Sequence, residues 1–144
     1  MALKSQPYNI VLIPPKEISQ KAIEISRSLR NHGVFFTLDG KKCFPHLTLY
    51  MAEFPKRNLA KVREELKKIS KRVKSFKVRA TKYRHEKYSH EDGWVHVSFK
   101  KSTPLLKFQK EIISKTNKFR NGLLMKNDIA RFDTLPKPFE RNLK

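Results

Sequence analysis

Apolar residues in this sequence recur with two different periods, and the places where one period gives way to the other limit what the chain can fold into. Tyr8-Asn9-Ile10-Val11-Leu12-Ile13 is a short apolar run stopped by Pro14-Pro15, the pattern of a buried strand. Ile18, Ala22, Ile25 and Leu29 then fall at spacings of four, three and four, which lines them up on one helix face, and Gly33 is placed to end that helix. Residues 34–38 read as the next strand, Asp39-Gly40 as a two-residue hairpin turn, and residues 44–51 as the returning strand. After Pro55 the helical period resumes at Leu59, Val62, Leu66, Ile69 and Val73, with Lys, Arg and Glu crowding the other face. Residues 76–82 and 94–99 read as two strands around a polar loop that holds His85, His90, Glu91, Asp92 and Gly93. Thr103, just before Pro104, is expected to cap a third helix carrying Leu105, Phe108, Ile112, Thr116 and Phe119. Beyond residue 120 the periodicity gives way to an irregular tail with Pro136-Lys137-Pro138, apart from the short apolar Leu123-Leu124-Met125. The order is strand, helix, strand hairpin, helix, strand pair, helix, tail. It predicts an α+β fold and a single domain over residues 1–144, with 120–144 irregular.

Charge narrows the partners. The 144 residues carry 33 Lys+Arg against 13 Asp+Glu, a formal net charge of +20, spread along the chain and not gathered in a tail. Such a surface draws polyanions, of which RNA is the expected one, with solubility as the plainer explanation. At 38% hydrophobic with ten Phe, the composition suits a folded protein rather than a disordered basic arm. No apolar run approaches the roughly 20 residues of a membrane span, and Met1-Ala2-Leu3-Lys4-Ser5-Gln6 lacks an apolar signal region, so a cytoplasmic protein without a membrane partner is expected. The single cysteine, Cys43, supplies neither an internal disulfide nor a cysteine-based zinc site.

Two of the five histidines stand two residues before a hydroxyl: His46-Leu47-Thr48 and His96-Val97-Ser98. In a strand, residues two apart share a face, so each pair would present an imidazole beside a hydroxyl. Imidazole exchanges protons near neutral pH, and a hydroxyl donates to a phosphate oxygen. Two such pairs on one cleft would supply general base, general acid and phosphate clamp with no cofactor and no metal. Chance alone places two such spacings in roughly one sequence in ten of this composition, so the spacing matters only in its context. Both pairs lie on the polar alternation of otherwise apolar segments, Phe44-Pro45-His46-Leu47-Thr48-Leu49-Tyr50 and Trp94-Val95-His96-Val97-Ser98-Phe99.

Pro45-His46-Leu47-Thr48-Leu49, with the strand and helix before it and the helix and strand pair after it, resembles the first signature of the 2H phosphoesterase superfamily, which includes 2′-5′ RNA ligase-like proteins and cyclic nucleotide phosphodiesterases. The resemblance implies a bilobal, pseudo-twofold α+β fold with antiparallel-rich sheets and helices packed outside. It also implies two His-x-Thr/Ser motifs lining a central cleft, one His acting as base and the other as acid on a phosphodiester or cyclic phosphate. His46 and Thr48 take the first motif directly. For the second, two readings stay open. Either His96 and Ser98 form it in a compact arrangement, or the true motif follows the third helix and lies beyond Lys144. The second agrees with an internal echo, in which the strand at 94–99 and its following helix repeat the strand at 8–13 and its helix. On that reading the chain is about one motif strand short of the architecture.

The function expected is therefore a 2′-5′ RNA ligase-like or cyclic phosphodiesterase activity on RNA ends or small cyclic nucleotides. Its competitor is a non-catalytic basic RNA-binding module or an inactive fragment of the same fold. His85, His90, Glu91, Asp92 and His96 match no familiar metal spacing, and the first four are expected to be solvated loop residues. Cys43, at odd spacing from His46, is expected as a packed thiol, and the basic run from Lys67 through Lys77 as the wet side of a helix.

Overall fold

The strand expected at residues 8–13 is longer than its apolar run and finds its partner far along the chain. The computed structural model describes residues 5–34, 37–88, 91–122 and 125, with side chains throughout except over 86–94. Strand β1 (Ser5–Leu12) pairs antiparallel with β2 (Leu47–Pro55), from Ser5 opposite Pro55 to Leu12 opposite Leu47. Helix α1 (Lys16–Ser28) lies between them in sequence and runs on through a 3-10 turn, Leu29–His32. Gly33 ends that turn at φ 78°, the left-handed stop that its position suggested. After it come α2 (Leu59–Arg72), the hairpin β3 (Ala80–Tyr88) and β4 (Glu91–Phe99), and α3 (Thr103–Thr116). Among the described residues the architecture is α+β, with three α-helices and two separate two-stranded antiparallel sheets.

These elements group into two compact units. The first holds β1, α1 and β2, and the second α2, β3, β4 and α3. In the first, Leu49, Ala52 and Phe54 of β2 are buried together with Ile23 of α1. Phe54 sits between the rings of Tyr8 and Tyr50, each 6.4 Å from it centroid to centroid. The second unit is built on α2 against α3. Val62 and Ile69 of the one and Leu105 and Ile112 of the other are buried, as the three-four spacing required. Thr116 is fully enclosed, and its hydroxyl is satisfied by donating to the Ile112 carbonyl at 2.7 Å. Asn58, also buried, donates from Nδ2 to the Phe119 carbonyl at 2.8 Å and so ties the start of α2 to the turn after α3.

Four local expectations are corrected. The described residues at 34, 37 and 38 are outside any strand, and β2 pairs with β1 instead; residues 35 and 36 lie outside the described set. Asp39-Gly40 is not a two-residue hairpin turn. The Asp39 and Gly40 amides both reach the Cys43 carbonyl, and Asp39 Oδ1 accepts from the Lys41 and Cys43 amides, so a side chain closes a longer loop. The polar loop around His85 is mostly hairpin, since cross-strand pairing runs out to Tyr88 opposite Glu91 and overrides the weak strand propensity of Glu91-Asp92-Gly93; residues 89 and 90 lie outside the described set. The cap of α3 is Ser102, whose hydroxyl accepts from the Leu105 amide, and Thr103 is already the first helical residue. The apolar Leu123-Leu124 and the tail from 126 onward also lie outside the described residues.

Gly40 gives a sharp local test. It has φ 79°, and a Cβ there would meet Ile23 Cδ1 at 3.1 Å, whereas a Cβ on Gly33, at φ 78°, meets nothing within 4 Å. Gly33→Ala should cost only the left-handed penalty of about 1–2 kcal/mol. Gly40→Ala should cost more, because the buried Ile23 must also shift. Chemical denaturation of the two variants checks the order.

Candidate functional site

Backbone geometry just before β2 prepares His46. Pro45 has no amide to enter the sheet, so pairing begins only at Leu47 and the Phe44 carbonyl is left available. His46 Nδ1 lies 2.9 Å from that oxygen. A carbonyl only accepts, so this contact assigns the proton of the neutral imidazole to Nδ1 and leaves Nε2 with its lone pair. The Phe44 ring lies against the imidazole, 5.5 Å away and tilted by 59°. His46 is thus held on two sides while remaining exposed.

The alternation that follows sets Thr48 beside it. His46 is exposed, Leu47 half-buried, Thr48 exposed and Leu49 buried. That two-residue rhythm puts the imidazole and the hydroxyl on the outer side and the two leucines on the inner one. Plain alternation would then turn Ala52 and Phe54 outward. Instead the register slips between Ile10 opposite Tyr50 and Val11 opposite Thr48, which makes Leu49 an extra residue, a β-bulge. The bulge lets Leu49 share the buried side with Ala52 and Phe54 while His46 and Thr48 stay outside. Arg120 braces the same strand by donating from Nη1 to the Tyr50 hydroxyl at 3.1 Å.

The loop leading into this pair carries exposed Lys41 and Lys42. Asp39 shapes it, and the amide hydrogen bonds from Lys41 and then Cys43 hold its carboxyl below the usual carboxylate range. The sequence marked this Asp only as half of a turn; its capping role depends on where the loop closes. A shallow apolar hollow of about 340 Å³, lined by Ile13, Ile23, Gly40, Phe44 and Pro45 among others, abuts the same loop.

The second pair belongs to the second unit. His96 and Ser98 lie on β4 opposite Arg84 and Lys82 of β3, in a stretch of regular register, so they share a face as expected. Both are half-buried. His85 is exposed on β3 and His32 on the turn after α1. No group of three or more His, Cys, Asp or Glu able to hold a metal occurs among the described residues. No helix among them is long and apolar enough to cross a membrane.

A search of curated proteins finds no match, and neither does a search of solved structures. The scan against family models does: the model of the 2′-5′ RNA ligase superfamily matches residues 14–125, from the end of β1 to beyond α3 and across both histidine pairs. With His46-Leu47-Thr48 set at the mouth of β2 and an α+β arrangement around it, the chain belongs to the 2′-5′ RNA ligase superfamily.

Proposed function

We propose that this protein is a 2H-type phosphoesterase that opens cyclic phosphates or 2′-5′ linkages at RNA ends through acid–base chemistry at His46. The observation that carries the reading is the hydrogen bond between His46 Nδ1 and the Phe44 carbonyl, which leaves Nε2 as an exposed base beside the Thr48 hydroxyl. In the hydrolytic direction, His46 Nε2 takes a proton from water as the water oxygen bonds to phosphorus. The bond from phosphorus to a ribose oxygen breaks, and that oxygen takes a proton from a second imidazole. The products are a phosphomonoester and a free ribose hydroxyl, so atoms and charge balance. Thr48 donates to a non-bridging phosphate oxygen.

Because imidazoles carry both proton transfers, turnover of an RNA oligonucleotide ending in a 2′,3′-cyclic phosphate should persist in excess chelator. Its rate should follow a bell-shaped pH profile. Loss of activity on chelation, restored by a divalent cation, would refute the reading.

A further inference from the structure

The β3–β4 hairpin collects cations on one face in a way the sequence conceals. Lys82 stands opposite Ser98 and Arg84 opposite His96, and directly opposed residues in an antiparallel pair share a face. At the open end of the hairpin the Lys100 amide donates to the Arg79 carbonyl at 2.8 Å, which continues the pairing by one rung. Lys100 keeps the even spacing of His96 and Ser98. Arg79 does not keep that of Lys82 and Arg84, and simple alternation would send it to the other side. A bulge corrects this: Ala80 stands opposite Phe99 and Lys82 opposite Ser98, so Thr81 is the extra residue. Thr81 anchors the irregularity by donating its hydroxyl to the Ser98 carbonyl at 3.0 Å. The bulge brings Arg79 onto the face of Lys82 and Arg84. Arg79, Lys82, Arg84 and Lys100 are all exposed, and half-buried His96 and Ser98 lie on the same side.

We propose that this face of the hairpin is a binding surface for the phosphate backbone of single-stranded RNA. Successive rungs on one face advance about 6.8 Å along the strands, a step that suits successive phosphates of an extended chain. Each of the last two rungs offers a cation with a hydroxyl or an imidazole, both of which donate to phosphate oxygens. A small cyclic nucleotide has one phosphate and cannot use several rungs, so the surface selects an RNA strand over a mononucleotide. The inference rests on the reading of the substrate as RNA, but it concerns binding and does not require turnover.

Binding of a short, fluorescently labelled single-stranded RNA, followed by anisotropy across a salt series, tests it. One variant carries Arg79→Gln, Lys82→Gln, Arg84→Gln and Lys100→Gln. A control loses the same charge from the exposed side of α2, through Lys61→Gln, Arg63→Gln, Lys67→Gln and Lys71→Gln, all exposed residues. Each lost contact to a single strand lowers the slope of log K against log salt by about 0.7, so the hairpin variant should lose nearly 3 in slope and the control far less. A slope change in the hairpin variant no larger than in the control overturns the proposal, as does failure of the unaltered protein to bind at low salt. Turnover is read separately, on the unaltered chain with an oligonucleotide ending in a 2′,3′-cyclic phosphate. An RNA-binding but inactive protein would therefore reject the proposed chemistry and leave the binding face standing.

Discussion

His46→Ala should lower turnover of a 2′,3′-cyclic phosphate by about 10²- to 10⁴-fold, the usual contribution of a positioned acid or base. The same change should leave stability within about 0.5 kcal/mol, because the side chain is exposed. It is hydrogen-bonded to the Phe44 carbonyl, which water can satisfy once the ring is gone. Rate and melting midpoint measured on one preparation separate the two effects. A variant with full activity would remove His46 from the chemistry. One that loses activity only in proportion to lost folded protein would make the residue structural.

The largest stability effect is expected at Phe54. Its side chain is 1% exposed and flanked by the Tyr8 and Tyr50 rings, so Phe54→Ala removes a whole ring from the buried side of β2. Truncations of this kind cost about 3–5 kcal/mol through lost transfer energy and the cavity left behind. For a chain of this length that lowers the melting midpoint by on the order of 10 °C. Met51, three residues earlier on the same strand, is 46% exposed, and Met51→Ala should stay within about 0.5 kcal/mol. Equal losses at the two positions would contradict the sidedness assigned to β2, and with it the outward placement of His46 and Thr48.

That sidedness shows how much of the site the sequence made legible. His46-Leu47-Thr48 stands out in its context, because an imidazole and a hydroxyl two residues apart follow a proline on the polar alternation of an otherwise apolar strand. The three helices are equally plain, since Val62 and Ile69, or Leu105 and Ile112, bury at the spacings the helical period demands. Pairing was not legible. A strand near residues 34–38 looked like the natural neighbour of β2, and only the eventual antiparallel match with β1 displaces it. Bulges were hidden for a related reason. Leu49 and Thr81 are ordinary strand residues, and each becomes an extra residue only when the opposite strand is in register. The hairpin cations were therefore invisible as a group, because Arg79 joins Lys82 and Arg84 only through the bulge between them. The Asp39 turn was misread because Asp-Gly favours a tight hairpin locally, while the loop to Cys43 closes through the Asp39 carboxylate.

The most direct measurement is phosphorus NMR of an RNA oligonucleotide ending in a 2′,3′-cyclic phosphate, incubated in chelator with the unaltered chain and, in parallel, with His46→Ala. The cyclic phosphodiester resonance should give way to a phosphomonoester resonance with the unaltered protein and persist with the variant. Conversion by both proteins, or by neither, would contradict the account of His46 as the acid–base centre of this chain.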